Sequence, residues 1–285
     1  MLAKEHRQFV LTKEERLFFW GDEAVAGKAA LVTGGSSGIG LGIVRMLAEE
    51  QYDIVLAHYN DEAQANVVQQ EVQSQFGQAC HVFSGNLAHT EVVLDLASFA
   101  IAKLGEISVL VNNAGVTKYT ETRELDVDTV DHLYGLNFRA PILLAREIGQ
   151  HMVAQHISGT MINIASTRAY RAYPMDSVYG GLKAALVRAT ESMALDLAPY
   201  HIRVNAVAPG AIRVRLGPAG ESFYAELGAR IPAGRMGRPE DVAEVVRWLI
   251  SKRAEYVTGA AIRVDGGLIL PGMPEHPSNQ GWGRS

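Results

Sequence analysis

The sequence lacks the residues and runs that several classes of protein require. Only one of its 285 residues, Cys80, is a cysteine, so no intramolecular disulfide can form, which is typical of a reducing compartment. No apolar run approaches the roughly 20 residues that a transmembrane helix needs. The charged N-terminus leads to no apolar signal-peptide core. These absences predict a cytoplasmic protein with no membrane partner.

An excess of basic charge is also absent. The 26 Lys and Arg residues are outnumbered by 31 Asp and Glu residues, and the net charge of −5 gives no electrostatic basis for binding nucleic acid. The nine histidines show no His-Glu-x-x-His spacing, which predicts no metal site. The remaining expectation is a globular protein that acts on a small molecule.

From Lys28 onward, short apolar runs alternate with amphipathic stretches. Continuous apolar strands that alternate with helices are typical of a parallel sheet covered on both faces. The pattern therefore predicts an α/β fold, a doubly wound sheet of about seven strands in a three-layer sandwich. The predicted strands lie at 30–32, 54–57, 80–83, 107–111, 161–165, 202–207 and 261–264, and the predicted helices at 39–50, 62–76, 91–103, 127–150, 179–198 and 239–251.

No linker, repeat or low-complexity segment divides this pattern. We expect an N-terminal extension at 1–27, one domain at 28–270 and a C-terminal tail at 271–285. A capping-box pattern predicts a short helix from about Lys13 to Trp20 in the extension. Its apolar residues pack either on the main domain or on another subunit, and the sequence does not decide between the two.

A glycine-rich turn joins the first strand to the first helix, and it reads Thr33-Gly34-Gly35-Ser36-Ser37-Gly38-Ile39-Gly40. Glycines let the backbone turn tightly and approach a ligand, and a helix N-terminus favours a pyrophosphate. The spacing differs from Gly-x-Gly-x-x-Gly and from a P-loop. Its strand–turn–helix context nevertheless favours a dinucleotide-binding, Rossmann-type domain over a merely structural turn.

Tyr179 and Lys183 lie four residues apart in a predicted helix, so they share one face. A nearby cation favours the phenolate, and we therefore expect Lys183 to lower the pKa of Tyr179 from its ordinary value of about 10. Ser166 follows a buried strand, at the edge where α/β proteins place their chemistry. The Tyr-x-x-x-Lys spacing alone also occurs by chance on exposed helices.

Together these motifs resemble the short-chain dehydrogenase/reductase family over about residues 27–268. The resemblance rests on the glycine turn, on Asn112-Asn113-Ala114-Gly115, on Asn137, on the set Ser166, Tyr179 and Lys183, on Pro209-Gly210 and on Asp265-Gly266-Gly267. It implies an oxidoreductase in which hydride moves between a nicotinamide cofactor and a substrate carbon.

The resemblance also implies the catalytic roles. Tyr179 would be the general acid/base, Lys183 would lower its pKa and bind the nicotinamide ribose, and Ser166 would position the substrate oxygen. Asn137 would bind a water that links Lys183 to solvent. The structural alternative for Asn137 is a helix asparagine that bonds to nearby backbone. Leu182 stands where the family favours serine, at a position without a catalytic role.

The resemblance implies the following cofactor-binding residues: Gly34, Ser36, Ser37, Gly38, Ile39, Gly40, His58, Tyr59, Asn60, Asn86, Leu87, Asn113, Ala114, Gly115, Tyr179, Lys183, Pro209, Gly210 and Ile212. NAD-type sites place an acid at the end of the second strand, and this chain has His58 there. The missing acid favours NADP over NAD, although Ser37 replaces the arginine of many NADP-dependent members. Val214 replaces a threonine that bonds the carboxamide, so one hydrogen bond to the cofactor is expected to be missing.

The expected substrate lid spans Arg213–Met236, and the expected substrate contacts are Ser166, Arg168 and Tyr179. For Arg168, a solvated loop position is the favoured alternative. The run from Ile231 to Ala243 resembles members that act on sugars and polyols, such as glucose 1-dehydrogenase, and also 3-oxoacyl-carrier-protein reductases. We therefore expect a small polar alcohol or ketone as substrate, with the carbonyl reductase as the alternative. A non-catalytic cofactor sensor or partner-binding protein is the rival of another class. Family analogy also implies a homotetramer.

Overall fold

The structure is a computed structural model that describes residues 28–214 and 220–271. The expected extension at 1–27, with its helix from Lys13 to Trp20, lies outside the described residues, as does the tail after residue 271. The division of the chain at 27 and 270 therefore stays a prediction.

One parallel sheet runs through the described residues. Its strands are β1 (Ala29–Thr33), β2 (Asp53–His58), β3 (Cys80–Ser84), β4 (Val109–Asn112), β5 (Thr160–Ile164), β6 (Arg203–Pro209) and β7 (Ala261–Val264). They pair in the order β3-β2-β1-β4-β5-β6-β7. Every residue of β1, β4 and β5 is buried, because helices cover both faces of the sheet. The predicted fold class is confirmed.

Helices form the two outer layers. They are α1 (Gly38–Glu49), α2 (Glu62–Glu71), α3 (Thr90–Leu104), α4 (Val127–Tyr134), α5 (Ala140–Ala154), α6 (Ser177–Leu197), α7 (Gly220–Ala229) and α8 (Pro239–Ile250). Apolar residues of α1, α2 and α8 pack on one face of the sheet. Those of α3, α5 and α6 pack on the other. Full burial of each Leu or Ile side chain contributes about 1.5–3 kcal/mol, so both layers are firmly held.

Two predicted helices are interrupted by π turns. The helix predicted at 62–76 is α2 followed by a π turn over Val72–Phe76. The helix predicted at 127–150 is α4, a π turn over Gly135–Arg139, and then α5. Pro141 has no N–H to donate to the carbonyl of Asn137, so the regular hydrogen-bond ladder cannot continue there. The hydrophobic pattern of the sequence does not distinguish a π turn from a continuous α-helix.

The chain reverses its direction of winding at β1 and β4. From β1 it proceeds outward through β2 and β3, and from β4 it proceeds in the other direction to β7. Crossover helices then leave on opposite faces, and a cleft opens at the carboxyl edge of the sheet. The glycine turn and the segments that begin at residues 113, 165 and 210 directly follow β1, β4, β5 and β6 at this edge. The motifs found in the sequence are therefore gathered there.

No helix among the described residues is both long and apolar enough to cross a bilayer. The same residues hold no group of three or more His, Cys, Asp or Glu side chains that could bind a metal ion. Cys80 is buried in β3, and burial raises the pKa of its thiol to about 12.

Candidate active site

Tyr179 and Ser166 meet where β5 ends and α6 begins. Ser166 precedes a short 3₁₀ turn, and its Oγ accepts a hydrogen bond from the Arg168 N–H at 3.2 Å. The Ser166 side chain is also close enough to Tyr179 to lower the pKa of its phenol. Tyr179 lies in the first turn of α6, and this end of the helix is at the carboxyl edge of the sheet. The two hydroxyls can therefore contact the same substrate oxygen.

Lys183 lies one helical turn further along α6 and is 3% exposed. Its Nζ donates to the carbonyl oxygen of Ile164 at 2.8 Å and lies 5.6 Å from the centre of the Tyr179 ring. Burial lowers the pKa of Lys183 to about 8, because the charged ammonium loses its hydration. The predicted grouping of Tyr179 with Lys183 on one helix face is present.

The expected pKa of Tyr179 is wrong in direction. Burial raises this pKa above its ordinary value, and Asp176 and Tyr119 act in the same direction. The hydrogen bond from Ser166 and the charge of Arg168 act against the rise without cancelling it. Helix spacing predicted the neighbouring cation but not the desolvation, which depends on the elements packed around α6.

Asn137 lies in the π turn between α4 and α5 and is fully buried. Its Nδ2 donates to the carbonyl oxygens of Val116 at 3.0 Å and Leu133 at 3.1 Å, so the backbone alternative holds for the amide donor. Its Oδ1 is buried and has no hydrogen-bond partner. A Cβ on Gly115 would lie 2.7 Å from this Oδ1 and 3.4 Å from Nζ of Lys183. Both polar atoms therefore face the space that Gly115 leaves open.

The glycine turn has the tight geometry that its sequence indicates. Gly34 has a φ of +64°, and a Cβ on Gly40 would lie 1.9 Å from the carbonyl oxygen of Gly34. Asn113 Nδ2 donates to the carbonyl oxygens of Thr33 at 2.9 Å and Gly34 at 3.1 Å. The N–H of Ala114 donates to Thr33 Oγ1 at 2.9 Å. The segment after β4 thus holds the turn in shape in front of the N-terminus of α1.

The carboxyl end of β2 differs from what the sequence suggests. His58 is only 4% exposed, and its Nδ1 accepts a hydrogen bond from the Asp61 N–H at 3.3 Å. Tyr59 is exposed, and Asn60 turns the chain back with a φ of +54°. The Asp61 carboxylate then accepts a 2.7 Å hydrogen bond from Ser36 Oγ in the glycine turn. Position 58 holds no acid, but an acid three residues later contacts the turn.

The side chains of Asn86 and Leu87 make contacts within the protein rather than pointing into the cleft. Asn86 Oδ1 accepts a hydrogen bond from the Ala88 N–H at 3.0 Å. Leu87 is buried in the core beneath α3. Any cofactor contact at these two positions would depend mainly on the backbone.

The segment after β6 contacts the end of β7, the start of α8 and the glycine turn. A Cβ on Gly210 would lie 2.6 Å from Cβ of Asp265, and Ile212 forms a bridge with Gly237. Val214 lies close to Gly38, since a Cβ on that glycine would come within 3.2 Å of it. The expected lid therefore begins directly against the glycine turn. Residues 215–219 of the expected lid, Arg215 among them, and the side chains of Glu221 and Phe223 lie outside the described part.

Sequence reasoning missed an ion pair beside Tyr179. Arg168 Nη1 lies 3.0 Å from Asp176 Oδ2, and both side chains are largely buried. The Arg168 guanidinium also donates from Nη2 to the Tyr119 hydroxyl at 3.0 Å and lies 4.8 Å from the centre of the Tyr173 ring. Arg168 is therefore not the solvated loop residue that the sequence favoured. An acid just before the start of α6 was the available signal for its partner.

Buried amides fasten the base of the site. Asn112 Nδ2 donates to Asn163 Oδ1 at 2.9 Å, and Asn163 Nδ2 donates to Thr190 Oγ1 at 2.9 Å. This chain of hydrogen bonds joins β4, β5 and α6. It fixes the catalytic helix relative to the strands that end at the cleft.

The described residues fit a nicotinamide dinucleotide on two structural grounds. Gly34, Gly38 and Gly40 carry no side chains beside the N-terminus of α1, where a pyrophosphate is favoured. At the other end of the cleft, the buried Asn137 Oδ1 lacks a partner. A buried acceptor without a partner is costly unless a water or ligand group satisfies it.

Comparisons with known proteins agree with this geometry. The model of a family described as enoyl-(acyl carrier protein) reductase matches residues 34–269. Glucose 1-dehydrogenase 2 of Bacillus subtilis is 32% identical over 250 residues, which cover 86% of this chain and 96% of that protein. The 3-oxoacyl-[acyl-carrier-protein] reductase FabG of Chlamydia pneumoniae is 33% identical over 248 residues, which cover 87% and 99%.

A solved structure is also similar to this chain over most of its length. The crystal structure of acetoin dehydrogenase YohF from Salmonella typhimurium matches with a TM-score of 0.82 and 32% identity, and the match covers 88% of this chain and 99% of that one. With the parallel sheet and the grouping of Ser166, Tyr179 and Lys183, these likenesses show that the chain belongs to the short-chain dehydrogenase/reductase family of oxidoreductases.

Proposed function

We propose that the protein is an NAD(P)-dependent dehydrogenase/reductase that interconverts a small polar alcohol and its ketone, with a sugar or polyol as the first substrate class to test. The observation that carries this proposal is the grouping of Ser166, Tyr179, Lys183 and Asn137 at the carboxyl edge of the sheet. The nicotinamide would donate or accept the hydride. The chain would hold it with the glycine turn, segment 113–115, Lys183 and segment 209–212.

Tyr179 would handle the proton. Its raised pKa keeps the phenol protonated at neutral pH, so it can donate to a substrate carbonyl oxygen during reduction. Ser166 would donate a second hydrogen bond to the same oxygen. In the oxidative direction Tyr179 must instead accept a proton, and the charge of Arg168 and the Ser166 hydrogen bond favour the phenolate that this requires.

Lys183 and Asn137 would connect Tyr179 with solvent. Lys183 has a pKa of about 8, so it exchanges a proton near physiological pH. The unpartnered Oδ1 of Asn137 faces the same open space, where it can hold a water. A helix that remained regular through residues 135–139 would place this amide differently, which gives the π turn a role in the site.

The Arg168–Asp176 pair and its tyrosine neighbours support the proposed substrate class. A polar, partly buried lining favours a hydroxylated molecule over a steroid or a long acyl chain. The similar proteins named for glucose and acetoin handle such molecules by their names. The likeness to a 3-oxoacyl reductase keeps carbonyl reduction of an acyl thioester as the alternative. A homotetramer and a cytoplasmic location remain proposals from family analogy and composition.

Replacement of Tyr179 by Phe tests the proposal. We expect turnover on any confirmed sugar, polyol or hydroxy ketone to fall by at least about 10²-fold, since the proton donor is lost. The matched control is Tyr200→Phe, because Tyr200 is exposed just beyond the other end of the same helix. Both variants should bind reduced cofactor as the wild type does.

Three results would contradict the proposal. Undiminished turnover by Tyr179→Phe would remove the catalytic assignment. Activity confined to 3-oxoacyl thioesters would replace the substrate class by the alternative. Cofactor binding without turnover of any alcohol or carbonyl compound in a broad panel would favour the non-catalytic sensor.

A further inference from the structure

Asp61 contacts the glycine turn from a position that the sequence did not indicate. Ser36 Oγ donates to its Oδ2 at 2.7 Å, and Ser36 is itself buried in the turn that precedes α1. Asp61 occupies the N-cap position of α2, yet its side chain caps no N–H of that helix. The carboxylate is therefore directed toward the turn rather than toward its own helix.

The turn after β2 holds Asp61 in this place. Its N–H donates to the buried Nδ1 of His58, and Asn60 reverses the chain in the left-handed region. Asp61 thus occupies the space beside the turn although it follows the strand end by three residues. No lysine or arginine of the described residues forms an ion pair with it. Its charge is not neutralised by that part of the chain.

This location matters for the adenosine ribose of a dinucleotide. In Rossmann-type domains, an acid near the carboxyl end of β2 accepts a hydrogen bond from the ribose 2′-hydroxyl. A carboxylate cannot donate to a 2′-phosphate, and two like charges at close range in a partly buried site repel each other. The acid missing at position 58 is thus supplied at position 61.

Resting on the proposed NAD(P)-dependent function, we propose that Asp61 discriminates against the 2′-phosphate, so that the protein binds NAD(H) in preference to NADP(H). The sequence-based expectation of NADP considered position 58 alone. The geometry of the β2 turn adds a carboxylate to the site and reverses that preference.

Dissociation constants of NADH and NADPH, measured by isothermal titration calorimetry, test this inference directly. The informative variant is Asp61→Asn, because its side-chain oxygen can still accept from Ser36 while the charge is gone. The matched control is Glu62→Gln, which removes an equal charge from an exposed neighbour whose carboxylate accepts from Ser84 instead. Thermal unfolding of each variant verifies that it is folded.

We expect the wild type to bind NADH at least tenfold more tightly than NADPH. Asp61→Asn should tighten NADPH binding at least tenfold and leave NADH unchanged or weaker, whereas Glu62→Gln should change both by less than threefold. The inference is overturned if the wild type prefers NADPH, or if Asp61→Asn affects NADPH no more than Glu62→Gln does. Neither outcome affects the Tyr179→Phe test, but failure of both cofactors to bind would overturn this inference and the proposed function together.

Discussion

Asp176 Oδ2 lies 3.0 Å from Nη1 of Arg168 and also lies 2.9 Å from the point where a Cβ on Gly180 would stand. The glycine in α6 therefore provides the space that the ion pair occupies. Its neighbour Gly181 faces open space, with no atom within 4 Å of an added Cβ. Two adjacent glycines of one helix thus have opposite surroundings.

We predict opposite effects of alanine at these two positions. Gly181→Ala should raise the free energy of unfolding by about 0.5–1 kcal/mol, because alanine favours the helix. Gly180→Ala should lower that free energy by about 1–3 kcal/mol and reduce kcat/KM, because the methyl group displaces the Asp176 carboxylate. Urea unfolding and steady-state kinetics of both variants measure these effects. Equal behaviour of the two variants would show that the Arg168–Asp176 pair does not depend on Gly180.

A second prediction concerns Gly115 and Asn137. A methyl group on Gly115 would lie 2.7 Å from Asn137 Oδ1, so Gly115→Ala should displace this buried amide, lower kcat roughly tenfold or more and lower the free energy of unfolding by about 1–3 kcal/mol. Asn137→Ala should have a similar effect on kcat. If Gly115→Ala and Asn137→Ala both act through the Asn137 amide, the kcat of the double variant should be no lower than that of the slower single variant. Additive losses in kcat would mean that Gly115 serves the site in some other way.

A third prediction follows from the pKa of Lys183. The folded value of about 8 lies below the ordinary value of 10.5, so between these pH values the unfolded chain binds a proton that the folded chain has released. Stability rises with pH wherever the unfolded state binds more protons. The free energy of unfolding of the wild type relative to Lys183→Met should therefore rise by on the order of 3 kcal/mol from below pH 8 to above pH 10.5.

Urea unfolding of the two proteins across this range provides the measurement, and other titrating groups cancel in the difference. A difference that stays constant with pH would show that Lys183 is not desolvated in the folded protein. A difference that falls as pH rises would show that a nearby negative charge holds the lysine protonated.

The elements of the fold could be predicted well from the sequence, and their ends less well. Strands such as β1 and β5 are mostly apolar, and this pattern can be seen in the sequence without knowledge of the neighbouring strands. The π turn at residues 135–139 could not be predicted, because it depends on the position of α5 relative to α4 in the folded protein. Asn137 was found only through a family resemblance, since its environment is created by that turn.

The candidate site divides in the same way. The sequence by itself determined which groups lie on one helix face, because the separation of Tyr179 and Lys183 is a property of local helix geometry. Only the tertiary structure decided their electrostatics. The pKa values of Tyr179 and Lys183 depend on burial by β5 and the neighbouring segments, and desolvation is a property of packed surroundings rather than of spacing. In the same way, only the folded β2 turn brings Asp61 to Ser36, and only the folded connection between β5 and α6 pairs Arg168 with Asp176.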